Sequence, residues 1–381
     1  MAHALIEPSF SLGIEEEYLL VDAKTRDLIH EAPKGLLAAC ERRLLGQVSP
    51  EFLQCQIEVG TRVCSTMDEA RTDLAHLRRT IADTARDHGL APIAASTHPF
   101  ARWDDQRHTH RDRYEILAKD LQVVVQRMLI CGMHVHVAVE DEDLRIDLFN
   151  QLVYFLPHLL MLTTSSPFWQ GRNTGLASYR LIVFDSLPRT GLPPQFSSFA
   201  DYQRTVATLT SLAIVEDATK IWWDLRPSGR FPTLELRICD VCTRLDDAIA
   251  VAALFRCLVR MLFRLRRDNQ RWRSYERFLV NENRWRALRY GASQGLIDFG
   301  RGEIVPSEGL LEELLILVRP DAEHFGGVAE VEHCRTILQR GTSAVRQISV
   351  FEAAKRRGLA EDEALAAVVD DLISQTVADF G

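Results

Sequence analysis

The spacing of apolar positions along the chain first predicts helices. Residues 66–88 repeat apolar side chains at intervals of three and four, and the resulting stripe consists of Leu74, Leu77, Ile81 and Ala85. Thr66 and Glu69 form a capping-box pattern at the start of this segment, and Gly89 is suited to its end. Similar patterns predict helices over about 143–164 and 245–267, and further helices from residue 328 onward.

Between these segments, apolar and polar residues alternate with a period of two, which is typical of strands. The predicted strands span residues 10–21, 52–63, 127–139, 179–185, 220–226 and 233–241. Because such alternation places one face on the core and leaves the other free, we predict an α+β protein with a large antiparallel sheet backed by helices. The stretch 187–199 is rich in proline and glycine, so we predict a long loop and a candidate lid.

The face of the sheet that should be free carries an unusual set of side chains on four of these strands. They are Glu15 and Glu17; Gln54, Gln56 and Glu58; His134 and His136; and Thr233, Glu235 and Arg237. If neighbouring strands align these positions, the carboxylates stand roughly 5–7 Å apart. Unit charges about 4 Å apart repel by about 4 kcal/mol at an effective dielectric constant near 20, so bound cations are expected. Glutamates with one or two imidazoles suit Mg²⁺ or Mn²⁺, and the number of carboxylates favours two metal ions.

Each motif alone has an ordinary interpretation. Glu15–Glu17 could be a charged surface turn, the two histidines a partly buried pair, and Glu235 with Arg237 an ion-pair face. Their coincidence favours the metal site. Two other functions stay open at this point: a metal-dependent hydrolase that uses the histidines and carboxylates to activate water, and a non-catalytic binding protein.

The chain contains neither a G-x-x-x-x-G-K-S/T nor a G-x-G-x-x-G motif, so metals and arginines would have to hold any phosphate. In that case Arg237 would meet the terminal phosphate of a nucleotide beside Glu235. Residues Arg172, Asn173 and Arg180 are candidates for binding a substrate carboxylate. A glycine-rich turn before a strand is the alternative interpretation of their segment.

Composition narrows the class of protein. With 381 residues, 46% of them hydrophobic, the chain can bury a sizeable core, and its net charge of −8 argues against nucleic-acid binding. The arginine run over 260–273 is more typical of a solvated helix end than of an RNA site. The apolar stretch 152–162 is interrupted by Pro157 and is too short to span a membrane, and residues 1–10 do not resemble a signal peptide.

The cysteines favour a reduced, cytoplasmic enzyme. All eight are scattered along the chain, and the single C-x-x-C pair, Cys239 and Cys242, is more typical of buried apolar residues than of a zinc site.

Seven motifs occur in one order along the chain: S-L-G-I-E-E-E-Y-L-L-V-D (11–22), Q-I-E-V-G-T-R (56–62), C-G-M-H-V-H-V (131–137), S-S-P-F-W-Q-G-R-N-T-G-L-A-S-Y-R (165–180), W-W-D-L-R-P-S (222–228), T-L-E-L-R-I-C-D (233–240) and E-N-R-W-R-A-L-R-Y-G (282–291). In this combination the sequence resembles the bacterial carboxylate–amine ligase family of the YbdK type, also called glutamate–cysteine ligase 2. The resemblance implies one ligase domain over residues 1–381, with its core motifs in 10–300 and a helical C-terminal part over about 301–381.

The resemblance also implies a glutamine-synthetase-like fold, in which an antiparallel sheet forms a cup over ATP and divalent metals. It implies ATP-dependent joining of a carboxylate to an amine, with weak glutamate–cysteine ligase activity. The metal ligands would be Glu15, Glu17, Glu58, Glu235 and one or both of His134 and His136, with Arg237 and Glu235 at the nucleotide. We further expect small-molecule substrates and a homodimer or other homo-oligomer.

Overall fold

The computed structural model describes residues 6–378, apart from the side chains of Asp112, Arg113 and Leu117. The predicted domain therefore extends at both ends beyond the described residues. The strands are β1 (Leu12–Asp22), β2 (Val48–Pro50), β3 (Gln56–Gly60), β4 (Leu90–Ile93), β5 (Met133–Ala138), β6 (Phe168–Trp169), β7 (Arg172–Asn173), β8 (Leu225–Pro227), β9 (Thr233–Leu236), β10 (Leu296–Asp298) and β11 (Glu303–Val305).

Helices occupy most of the remaining chain. They are α1 (Leu36–Leu44), α2 (Met67–Arg86), α3 (Asp112–Leu121), α4 (Val123–Gln126), α5 (Glu142–Leu152), α6 (Leu156–Thr163), α7 (Arg180–Phe184), α8 (Phe199–Ser211), α9 (Leu245–Arg267), α10 (Arg277–Tyr290), α11 (Ser307–Phe325), α12 (Val328–Arg340), α13 (Ser343–Arg356) and α14 (Glu361–Thr376).

One antiparallel sheet organises the fold. Its strands follow the order β2-β3-β1-β5-β9-β8, and β4 pairs with the far end of β1. Helices α2 and α9 pack against the sheet at β1 and β5. The predicted α+β class with an antiparallel sheet backed by helices is therefore confirmed.

The long helices were predicted correctly from their periodicity. Helix α2 begins after Thr66, whose hydroxyl accepts from the amide of Glu69 in a capping box. Helix α9 has the predicted bounds, and three helices follow residue 328. These segments each repeat their apolar stripe over several turns, so the pattern is unambiguous.

Two predicted strands are wrong. Residues 180–184 form helix α7, in which Arg180, Leu181, Val183 and Phe184 are buried at helical spacings of three and four. A segment of five residues is too short for the sequence pattern to distinguish a helix from a strand. Residues 218–220 form a short 3₁₀ turn, and the strand begins only at Leu225. The second and third predicted strands are shorter than expected, since pairing in the sheet covers only part of each alternating segment.

The helix predicted over about 143–164 is present as α5 and α6, with a short 3₁₀ turn at Val153–Phe155 between them. Residues 142–163 are almost continuously helical and would be long and apolar enough to cross a membrane by composition alone. However, 78% of their most apolar window is buried inside the protein. This segment is therefore a core helix of the fold.

The arginine run after residue 260 is only partly a solvated helix end. Arg260 and Arg264 both donate to the fully buried carboxylate of Asp321, at 2.8 and 2.9 Å. The interpretation as a simply solvated end is therefore wrong for these two residues.

Cys239 and Cys242 are buried, in agreement with the interpretation of the C-x-x-C pair as core residues.

Candidate active site

A cavity of about 520 Å³ opens over the free face of the sheet. Its floor is formed by side chains from β1, β3, β5, β8 and β9, and its walls come from the loops that follow β2 and β8 and from α3. The lining combines acidic side chains with arginines and Lys220.

The strand register brings the predicted polar positions together. Glu17 lies opposite Glu58 on β3, and Glu15 lies opposite His134 on β5. His136 lies opposite Glu235 on β9, which in turn lies opposite Arg226 on β8. The expected alignment across neighbouring strands is therefore confirmed, and one row of chemistry-bearing side chains crosses the sheet.

Three carboxylates form a cluster in the cavity. Oxygen atoms of Glu17, Glu51 and Glu58 all lie within 4.8 Å of one another. Glu58 accepts from the Ser49 hydroxyl at 2.9 Å, and Glu17 accepts from the Gly132 amide at 2.7 Å. Burial, together with the charges of Glu51, Glu15 and Glu17, raises the pKa of Glu58 well above its usual range. A set of hard oxygen ligands with this mutual repulsion fits Mg²⁺ or Mn²⁺.

The sequence analysis missed Glu51. This residue directly follows β2, a strand of only three residues that shows no extended alternation. The alternating pattern of this strand is therefore too short to predict it from sequence. Only the pairing of β2 with β3 brings Glu51 to the cluster.

The two histidines contact the carboxylate of Glu15. His134 Nδ1 lies 3.2 Å from Glu15 Oε2, and His136 Nε2 lies 3.5 Å from Oε1. Burial opposes ionisation of Glu15, but its hydrogen bonds with His134 and His136 keep its pKa below the usual value. Burial and the nearby charge of Arg237 lower the pKa of His134. Within the described part of the chain, buried His136 Nε2 has no partner closer than Glu15 Oε1 at 3.5 Å, so it is available as a ligand atom.

Glu235 lies between two arginines, Arg226 and Arg237. Arg226 donates to both of its oxygens at 2.8 and 2.9 Å, and Arg237 donates to Oε1. Burial alone would raise the pKa of Glu235, but the charges of Arg237 and Arg226 hold it below its usual range. The structure therefore pairs Glu235 with two arginines, outside the cluster of Glu17, Glu51 and Glu58, and its role as a metal ligand stays a prediction. The sequence analysis included Arg226 in a predicted strand but not in the site, because only the pairing of β8 with β9 brings it to Glu235.

The candidate substrate residues are not brought together. Arg172 and Asn173 are exposed on the short strand β7, and neither lines the cavity, because β7 pairs with β6 outside the main sheet. Arg180 is buried and lines a smaller adjoining cavity of about 70 Å³ beside Glu17, His134 and Arg237. Its guanidinium donates to the carbonyl groups of Arg237 and Ile238, at 3.2 and 3.3 Å.

The predicted loop over 187–199 is present. Leu187 lines the cavity, and the carbonyl groups of Arg189 and Gly191 accept from the amides of Trp222 and Asp224, both at 2.9 Å. These bonds anchor the loop beside the cavity, and its motion as a lid stays a prediction.

Comparison with known proteins identifies a family and close relatives. A sequence model of glutamate–cysteine ligase family 2 matches residues 11–371. A Rhodospirillum rubrum protein named "Putative glutamate–cysteine ligase 2" is 63% identical, covering 98% of this chain and 97% of that protein. A Jannaschia protein of the same name is 58% identical, covering 98% of both chains.

Solved structures share the fold at low sequence identity. Glutamate–cysteine ligase from Francisella tularensis, solved in complex with AMP, has a TM-score of 0.67 and 14% identity over 97% of this chain and 90% of that chain. A bifunctional glutathione synthetase from Pasteurella multocida also has a TM-score of 0.67, with 15% identity. This chain spans about half the length of the Pasteurella protein, covering 53% of it.

Proposed function

The chain belongs to glutamate–cysteine ligase family 2, and from this premise we propose that it is an ATP-dependent ligase that joins a carboxylate to an amine. The observation that carries the proposal is the division of one cavity into a carboxylate cluster and an arginine pair. Such an arrangement suits a polyphosphate whose charge is shared between divalent cations and guanidinium groups.

We assign two divalent cations, Mg²⁺ or Mn²⁺, to the acidic side chains of the cavity. Glu17, Glu51 and Glu58 would hold one of them, since their oxygens already lie within ligand reach of one another. Glu15 and an imidazole would hold the other, and the weaker 3.5 Å contact of His136 Nε2 with Glu15 favours His136 over His134. When bound, the cations neutralise phosphate charge and orient the phosphates for transfer.

Arg237 and Arg226 would bind the phosphates, with Glu235 keeping both guanidinium groups oriented. A substrate carboxylate oxygen attacks the γ-phosphorus of ATP, and ADP leaves with the electrons of the broken P–O bond. Arg237 stabilises the charge on the phosphoryl group in transit. The amine of the second substrate then attacks the carbonyl carbon of the acyl phosphate, loses its proton and releases inorganic phosphate, which leaves an amide.

The substrates proposed are amino acids. The γ-carboxylate of glutamate and the amine of cysteine are the first pair to test, with weak activity expected. Arg180 stays the candidate for a substrate carboxylate, because it is the one of the three proposed residues that reaches the cavities. The eight free, buried cysteines support a reducing compartment such as the cytoplasm, and a homo-oligomer stays a prediction.

The deciding experiment measures ADP and phosphate release against a panel of amino acids and amines, with and without ATP. The ligase requires both substrates and ATP for amide formation. A product that forms equally without ATP would instead support the metal-dependent hydrolase. If no combination in the panel turns over ATP, the ligase proposal for these substrates is wrong.

Arg237→Lys tests the arginine pair. The variant keeps the charge but loses the planar fork, so we expect kcat to fall on the order of 10²-fold with a smaller change in the KM for ATP. Arg335→Lys is the matched control, because Arg335 pairs with Glu312 on the surface outside the cavity. An unchanged kcat in Arg237→Lys would remove Arg237 from the mechanism.

A further inference from the structure

A second cluster of ligand-type side chains lies on the outer side of the cavity wall. The wall is the segment 107–115, whose inner side presents Arg111 and Tyr114 to the cavity. Its outer side carries His108, His110 and Glu115, which are partly or fully exposed to solvent. These three residues take no part in the proposed ligase reaction.

The geometry of this outer cluster matches a metal site. His108 Nε2 lies 3.2 Å from Glu115 Oε1, and His110 Nδ1 lies 3.1 Å from the same oxygen. The three ligand atoms lie within 4.8 Å of one another. Ligands bound tetrahedrally at about 2.0–2.1 Å from Zn²⁺ are separated from each other by about 3.3 Å. Two of the three separations therefore match those that one ion would need, and the two histidine nitrogens lie within 4.8 Å of each other.

The chemistry of the donors selects a different ion from that of the cavity. Two imidazole nitrogens and one carboxylate suit Zn²⁺ and the neighbouring late first-row dications, whereas the oxygen-rich cluster of Glu17, Glu51 and Glu58 suits Mg²⁺. We propose that His108, His110 and Glu115 form a binding site for Zn²⁺, with water completing the coordination on the exposed side.

The site is placed where a bound ion would stiffen the cavity wall. Its ligands come from the loop before α3 and from the first turns of that helix, so one ion would link the two. The same loop is hydrogen-bonded to the segment that carries Glu51. Thr109 donates its amide to the carbonyl of Phe52 at 2.8 Å and its hydroxyl to the carbonyl of Glu51 at 2.7 Å. Binding of Zn²⁺ on the outside should therefore restrict the wall residues Arg111 and Tyr114 on the inside.

The test is calorimetric titration of Zn²⁺ into the full chain in an excess of Mg²⁺, which occupies the carboxylate cluster. We expect one Zn²⁺ per chain outside the cavity, and a binding constant at least about tenfold weaker in His110→Ala and in Glu115→Gln. His88→Ala is the matched control, since His88 is a single exposed histidine at the end of α2, and it should bind as the wild type does. His136→Ala, which removes the imidazole favoured for the cation in the cavity, should also retain this binding.

Hydrogen exchange provides the second readout. Amides over residues 107–121 should exchange more slowly with Zn²⁺ in the wild type and not in His110→Ala. The proposal is overturned if His110→Ala and Glu115→Gln bind Zn²⁺ as tightly as the wild type, or if His136→Ala alone removes the binding. Because neither readout measures turnover, failure of the ligase proposal would leave this test unaffected.

Discussion

Replacing Glu58 by glutamine should move metal-free stability and metal affinity in opposite directions. The amide keeps the size of the side chain and an oxygen that can accept from Ser49, so the change removes little besides the charge. Two unit charges 4.8 Å apart, the upper limit of the separations in the cluster, repel by about 3 kcal/mol at an effective dielectric constant near 20. Without divalent cations, Glu58→Gln should therefore raise the free energy of unfolding by about 1–3 kcal/mol.

The raised pKa of Glu58 also predicts how the free energy of unfolding changes with pH. Because burial and the neighbouring carboxylates raise the pKa of Glu58, the native state retains a proton that the unfolded state releases. The metal-free wild type should therefore lose stability as pH rises above the ordinary pKa of glutamate toward that of Glu58 in the folded state. In Glu58→Gln this decline should be reduced. With Mg²⁺ present, the variant lacks a ligand, so its Mg²⁺ affinity should fall at least about tenfold.

Urea unfolding, followed by circular dichroism with a chelator or with Mg²⁺ over a series of pH values, measures both effects. Glu41→Gln serves as the control, since Glu41 is exposed on α1 outside the cavity. A variant that is less stable without metal and binds Mg²⁺ as the wild type does would show that Glu58 is structural. That result would refute the assignment of the cluster as a cation site.

Three further substitutions test how the site is supported. Arg78→Met should lower the free energy of unfolding, measured by urea titration, by about 3–5 kcal/mol, because the fully buried carboxylate of Glu16 would lose its bidentate partner. A loss below about 1 kcal/mol, which is typical of a surface pair, would contradict this. Burial lowers the pKa of His158 from 6.5 to about 4, so the wild type should lose stability as pH falls through that window. His158→Phe should remove up to about 3 kcal/mol of that loss in acid titration, and an unchanged pH profile would contradict it. Gly132→Ala would place a Cβ against the guanidinium of Arg180, so kcat for ADP release should fall about tenfold or more, whereas normal turnover would show that Arg180 has room to move.

Much of the candidate site could be predicted from sequence because its geometry is local. Side chains two residues apart on a strand point to the same face, so Glu15 with Glu17 and His134 with His136 were assigned to one surface from spacing alone. The long helices were predictable for the same reason, since a stripe repeated over several turns has one interpretation. The family resemblance then supplied the expected chemistry, and the family is confirmed.

The remaining features depend on contacts between segments distant in the chain. Glu51 joins the carboxylate cluster through the pairing of β2 with β3, and Arg226 reaches Glu235 through the pairing of β8 with β9. Arg172 and Asn173 share a motif with Arg180, but the chain turns between them, and only Arg180 reaches the cavities.

The buried face of β1 shows most clearly which features follow from the sequence and which follow from tertiary packing. The sequence by itself determined that Glu16 points away from Glu15 and Glu17, because strand geometry alternates. The same alternation places Tyr18, whose hydroxyl donates to Glu16, on that face, and only the tertiary structure decided that this buried carboxylate meets Arg78 of α2. The physical reason is that backbone geometry sets the direction of a side chain within its own element, whereas a buried charge requires a partner that only the packing of another element can supply.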